Sequence, residues 1–210
     1  MDLLAMRTAV QAVCLGISKT DTELNTLINE GFANAAMEVV LPGLKRIDTV
    51  QTVTNAAYVS LTALDGGFSG RLRRVGSTDA ITVLKSLEEL MDLYPGMDET
   101  GEEVEYVALE GHNLWYQPIP TAAQILNVLY LQNPAVLSAD VDVPSDFPSS
   151  LHNGIGVCWA AYRIWEVEED EQEGSKVNTA HYLSMYENAV QKLREHVARS
   201  RRHCLMSWED

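Results

Sequence analysis

The sequence predicts an α+β fold: a bundle of about four helices from the N- and C-terminal segments, with an inserted antiparallel β region. Three observations carry this reading. Both ends of the chain place apolar residues at helical spacing. The middle switches to alternating, β-branched runs bounded by turn residues. Each end helix has a single apolar stripe, which needs a partner, so the economical solution packs the two N-terminal helices on the two C-terminal ones. The organisation that follows is 1–44 for the first helices, 45–140 for the inserted β-rich region, 141–198 for the last helices and 199–210 for a basic tail.

Leu3, Met6, Val10 and Val13 fall on one helical face, and Gly16 ends that helix. Thr20-x-x-Glu23 is a capping box opening a second helix, with Leu24, Leu27, Ile28, Phe32, Ala35 and Val39 on one side. Leu41-Pro42-Gly43 stops it. Strands are expected over 49–54, 58–61 and 71–75, with a turn at Asp65-Gly66-Gly67. Ser86 caps a short helix that ends at Tyr94-Pro95-Gly96. A β-meander is expected from three runs, Tyr106–Leu109, Leu114–Tyr116 and Ile125–Leu131. Asp146 or Ser145 caps the next helix, whose narrow seam is Leu151, Ile155, Cys158, Tyr162 and Trp165. The acidic run from Glu166 to Glu173 opposes the dipole of that helix end and should fray it. The last helix starts near Lys176 and repeats the stripe with Leu183, Tyr186, Val190, Leu193 and Val197.

The totals narrow the function. The chain has 210 residues, 46% of them hydrophobic, and a formal charge of -15. This is a globular composition. Its acidity argues against a nucleic-acid grip, which needs a basic surface. Cys14, Cys158 and Cys204 are odd in number and far apart, so a reducing compartment is expected rather than a disulfide framework. Asp2 stands where a signal peptide wants positive charge, and Arg7 interrupts the first apolar run. No apolar run approaches the ~20 residues of a membrane span.

No convincing reaction centre emerges. Asp65-Gly-Gly-Phe-Ser-Gly70 lacks the Gly-Lys-Ser/Thr ending of a phosphate loop, and no Gly-x-Ser-x-Gly elbow exists. The five histidines form no zinc spacing. No cofactor is expected. Asp140, Asp142 and Asp146 are the best carboxylate cluster, able to hold a divalent cation or work as acid and base, although helix capping is the stronger reading. A metal-dependent enzyme using Asp140, Asp142 and His152 is the alternative from a different class.

The other uneven feature is cationic. Lys192, Arg194, Arg199, Arg201 and Arg202 follow one another closely in an otherwise acidic chain, with Trp208 beyond them. They form a solvated tail, a dock for an acidic partner with Trp208 as apolar anchor, or a weak nucleic-acid contact.

Five pieces in order carry a resemblance: Leu27-Ile-Asn-Glu-Gly-Phe32; Tyr106-x-Ala-x-Glu-Gly111; Leu114-Trp-Tyr-Gln-Pro-x-Pro120; Leu129-Tyr130-x-x-x-Pro134; and the Asp-x-Pro stretch leading to Leu151-His152. Over roughly residues 20–170 the chain resembles the head-to-tail adaptor (connector) proteins of tailed bacteriophages. It departs from them before Tyr106, where Gly-Glu-Glu-Val-Glu replaces a Gly-x-Pro. The resemblance implies structural work in the virion neck rather than catalysis. It implies a ring of this chain, usually of twelve copies, docked under the portal protein. The ring extends the DNA channel without binding DNA specifically, and it offers a platform to the next neck or tail protein, with no membrane involved. It also implies that the C-terminal segment reaches the portal, which assigns portal contact to Lys192, Arg194, Arg199, Arg201, Arg202 and Trp208. Another neck component, a stopper or tail-completion protein, is the nearest alternative.

Overall fold

The computed structural model describes residues 1–64, 67–77, 80–170 and 176–206, with 80 and 201–206 described by backbone alone. The chain divides into two compact units. One joins residues 1–43 with 134–210, and the other is 44–133.

The first unit is helical. Helix α1 (Leu3–Val13) is capped by Asp2, whose carboxylate accepts from the Ala5 backbone N–H at 2.8 Å. Helix α2 (Asp21–Glu38) opens with the expected capping box between Thr20 and Glu23. After a 3₁₀ turn at Ser149–Leu151 the chain passes through a π-helical turn, Asn153–Val157, into α4 (Cys158–Asp170). Helix α5 (Val177–Met206) runs back along α4.

The π turn is where these helices meet, and it carries two glycines. A Cβ on Gly154 would lie 2.6 Å from Ala189 Cβ of α5, and one on Gly156 would lie 2.8 Å from the Phe32 ring of α2. Gly31 of α2 reciprocates, with the Ile155 carbonyl 2.7 Å from where its Cβ would be. Absence of side chains at these three points lets the π turn pack on α2 and α5 at a distance that alanine would forbid. The extra residue of the π turn also rotates the face that follows. The buried set on α4 is therefore Cys158, Ala160, Ala161 and Ile164, while Tyr162 and Trp165 of the expected seam are only half-buried.

The second unit holds the sheet. Its strands are β1 (Lys45–Gln51), β2 (Tyr58–Ser60), β3 (Phe68–Gly76), β4 (Ala80–Val83), β5 (Thr100–Gly101), β6 (Tyr106–Glu110), β7 (Asn113–Gln117), β8 (Ile119–Pro120) and β9 (Ile125–Gln132), with α3 (Leu87–Leu93) between β4 and β5. Seven of them form one sheet in the order β1-β9-β3-β4-β6-β7-β2, and β5 pairs with β8 separately. Val50, Val75, Val107, Leu114, Tyr116, Leu126, Val128 and Tyr130 converge in one buried cluster, around which the sheet curls. Tyr116 is fully buried, and its hydroxyl accepts from the Val53 N–H at 3.0 Å and lies 3.3 Å from the Tyr58 carbonyl.

The expected fold class is overturned. Among the described residues there are five α-helices, one of them inside the β unit, and the β region is a large curled seven-stranded sheet rather than an insertion on a four-helix bundle. Nor is the sheet purely antiparallel, because β4 pairs with β6 in parallel. The expected meander is also corrected. β6 and β7 form a hairpin, but β9 leaves them and inserts between β1 and β3. Periodicity identifies a strand, whereas its neighbours are fixed by contacts far along the chain. The strand expected at 49–54 ends at Gln51, because Asn55 adopts φ 60° and turns the chain. The turn expected at Asp65-Gly66-Gly67 lies largely outside the described residues.

Candidate functional site

The acidic segment before α4 is the strongest chemical candidate, and Asp140, Asp142 and the His152 that follows them each have a structural partner. Asp142 accepts from the backbone N–H groups of Ser138 at 2.7 Å and Ala139 at 2.8 Å. Those bonds stabilise the carboxylate and hold its pKa below the ordinary value. The backbone carbonyls of Asp142 and Asp140 accept from the N–H groups of Leu3 and Leu4 at 2.9 and 3.1 Å. Residues 138–142 thus satisfy first-turn donors of α1 that the helix itself leaves open.

Asp140 pairs through its side chain with Arg7, which also reaches Asp21 at 3.2 Å. Arg7 is only 7% exposed, so the residue that interrupts the first apolar run is a buried cation held by two surface carboxylates. His152 is 1% exposed. Its Nε2 lies 3.0 Å from the Phe147 carbonyl, and a carbonyl only accepts, so Nε2 carries the proton. Its Nδ1 faces the Met1 backbone, with the nitrogen at 3.1 Å and the oxygen at 3.2 Å. Asp140, Asp142 and His152 are therefore spent on separate bonds. Among the described residues no three His, Cys, Asp or Glu side chains gather as a metal would require. The cap expected from Asp146 or Ser145 is not made either, since the turn at Ser149–Leu151 and the π turn have no side-chain cap.

The acidic end of α4 has a use that its charge pattern did not reveal. Glu169 accepts from the N–H groups of Asn178 and Thr179, both at 3.0 Å, and from the Thr179 hydroxyl at 2.7 Å. Desolvation raises its pKa, but these hydrogen bonds outweigh that and leave it lowered. An acidic run placed unfavourably for its own helix thus caps the next one. Lys176 pairs with Asp170 across the same connection.

The cationic residues of α5 separate by face. Lys192 and Arg199, seven residues apart, line one groove of about 370 Å³ with Glu195, His196, Pro148, Ser150 and Leu151. Arg194 points elsewhere and is bound to Glu38 of α2 at 2.6 Å. Arg201 and Arg202 lie within α5, which continues to Met206, and their side chains, like Trp208, fall outside the described residues. Basic residues in the final turns favour such an extension, because they complement the negative end of the helix dipole. The groove itself is invisible in the sequence, since Pro148 and Ser150 come from a turn more than forty residues away.

A second concavity, of about 310 Å³, lies between α2 and α4, with Leu27, Ile164 and Val167 on its wall beside Thr22, Thr26 and Arg163. Both buried cysteines are free, and burial pushes the Cys14 thiol up to about 11. Neither is a thiolate at neutral pH. No described helix is long and apolar enough to cross a membrane.

Comparison with known families places the chain among the structural adaptor proteins of bacteriophages. More particularly, it belongs to the SU10 adaptor protein family, whose model matches residues 1–206. No curated protein matches the chain.

Proposed function

We propose that this protein is a head-to-tail adaptor that assembles as a ring of copies, twelve in the resemblance drawn above, under the portal in the virion neck. The ring extends the DNA channel and gives the next neck or tail protein its platform. The observation that carries this reading is the family match, which spans nearly the whole chain. The charge balance supports it. A channel wall with a formal charge of -15 per copy repels passing phosphate rather than binding it. Portal contact falls to the end of α5, through Lys192, Arg199, Arg201 and Arg202 with Trp208 as anchor. Arg194 has a smaller share, because Glu38 already holds it. A basic helix end on an acidic protein suits an acidic docking surface.

The test is electron microscopy of the purified protein, alone and mixed with the portal protein of the same virus. A ring stacked on the narrow end of the portal is the expected result, and a monomer that ignores the portal would sink the proposal. Reversing Arg199, Arg201 and Arg202 to Glu should abolish attachment while the circular dichroism spectrum stays unchanged. Attachment that survives this change would remove the role given to the α5 end.

A further inference from the structure

The β unit segregates its charge in a way the proposed role does not itself require. Five of the six Lys and Arg residues in 44–133 are Lys45, Arg46, Arg71, Arg73 and Arg74, all on β1 and β3. These two strands flank β9, so the register aligns Lys45 and Arg71 with Leu131, and Ile47 and Arg74 with Leu129. Arg73 is the extra residue of a bulge between Leu72 and Arg74. Residues directly opposite one another share a sheet face. Lys45, Arg74, Ile47 and Leu129 therefore lie on the face away from the core strip of Val50, Leu126, Val128 and Tyr130. Ile47 is 74% exposed there, and Ile125, in register with Gln51, is 63% exposed.

The same unit is acidic elsewhere. From Glu88 to Glu110 there are nine acidic residues and no basic one. Glu88, Asp92, Glu102 and Glu103 are exposed, and α3 also exposes Met91 and Leu93. Each surface thus carries exposed apolar side chains among charged ones, and the charges on the two have opposite sign. Lys45, Arg73 and Arg74 form no ion pair among the described residues.

We infer that the β1-β9-β3 face of one copy docks on the α3 and 98–105 face of a second copy. Exposed apolar side chains beside charges of complementary sign are what two associating protein surfaces offer each other. The sign pattern also disfavours a two-fold contact of either surface with its own copy. A two-fold contact through either surface would set like charge on like, whereas a head-to-tail contact matches them, and head-to-tail contacts are the kind that close into rings. This inference rests on the ring proposed above and names the surfaces that build it.

The experiment uses two full-length variants, Arg73→Glu with Arg74→Glu, and Glu88→Lys with Asp92→Lys. Each is checked for an unchanged fold by circular dichroism and its thermal midpoint. Assembly is then read by light scattering and by microscopy with the portal, under conditions in which the wild type forms rings. Neither variant should form rings alone, because its substituted residues meet like charges on the unchanged surface of the next copy. Mixed one to one they should restore rings, since alternating copies then meet either through two unchanged surfaces or through the substituted acids of one variant and the substituted lysines of the other. Rings from either variant alone, or no recovery in the mixture of two folded variants, would overturn the assignment. Rings left intact while duplex DNA retention falls in the Arg73/Arg74 variant would also overturn it, moving the basic strands to the channel wall. A wild type that forms no ring, even with the portal, would defeat the proposed function itself and is distinguishable from all of these.

Discussion

A methyl group added at Gly31 would sit 2.7 Å from the Ile155 carbonyl oxygen and 2.8 Å from Trp159 Cβ. Alanine is the better helix former by ~1 kcal/mol, but overpacking a close contact costs roughly 1–3 kcal/mol. Backbone and Cβ atoms cannot swing aside, so the second effect wins. Gly31→Ala and Gly154→Ala, the latter 2.6 Å from Ala189 Cβ, should each lower stability by about 1–2 kcal/mol in urea unfolding. Single side chains also decide what the candidate site can do. Asp140, Asp142 and His152 stood out in the sequence because their residue types suit chemistry. Their partners did not stand out, since Arg7 lies 133 residues from Asp140 and appeared only as a break in an apolar run. For Asp142 the folded pKa is depressed, so its contribution is present above the unfolded value of ~4 and is lost as pH falls through the folded one. The thermal midpoints of wild type and Asp142→Asn should therefore differ most near pH 7 and converge below about pH 4. A constant difference across that range would show that the charge is not what the Ser138 and Ala139 N–H groups hold.

Elements were legible where their signal is local. The Thr20 capping box is complete in the structure, with the Thr20 hydroxyl accepting from the Glu23 N–H at 3.3 Å and the Glu23 carboxylate accepting from the Thr20 N–H at 2.8 Å. Thr20→Ala should cost ~1 kcal/mol, read as a lower urea midpoint at constant slope. Ser86 caps α3 as expected, accepting from the Glu89 N–H at 3.2 Å. The stripes of α1, α2 and α5 are buried at most of the positions their spacing marks. What stayed hidden was non-local. The position of β9 between β1 and β3 leaves no mark on residues 125–132, which read equally well as the third strand of a meander. The four residues of β4 are too short a run to separate from their surroundings. The π turn was masked by its own apolar residues, because Ile155 and Cys158 fit an ordinary helical seam. Gly154 and Gly156 were the clue, since two glycines one residue apart are costly in a helix unless a close approach requires them. The fold class is hidden for the same reason as the meander: an apolar stripe is visible along the chain, and the partner of a strand is not.

Charge acts on the molecule as a whole. Copies carrying a formal charge of -15 repel one another, and the repulsion reaches ~30 Å at 0.01 M salt but only ~10 Å at 0.1 M. Contacts between the basic β1-β9-β3 face and the acidic α3 face act at shorter range and are partly shielded from ions by the apolar side chains beside them. Ring formation through these faces should therefore show two limbs. Raising salt from about 0.01 M to about 0.15 M should strengthen assembly, as the long-range repulsion is screened first. Raising it further towards ~1 M, where the screening length falls to ~3 Å, should weaken it as the opposite-sign pairs themselves are screened. Light-scattering mass measured at fixed protein concentration across this series tests the balance. A mass that rises throughout would mean that Ile47, Ile125, Met91 and Leu93 hold the contact without help from the charges beside them. A mass that falls from the lowest salt onward would mean that the local pairs outweigh the net charge at every distance. In the one-to-one mixture of the two reversed variants both limbs should persist, because the exchange moves charge between copies while leaving the average charge per copy as it was.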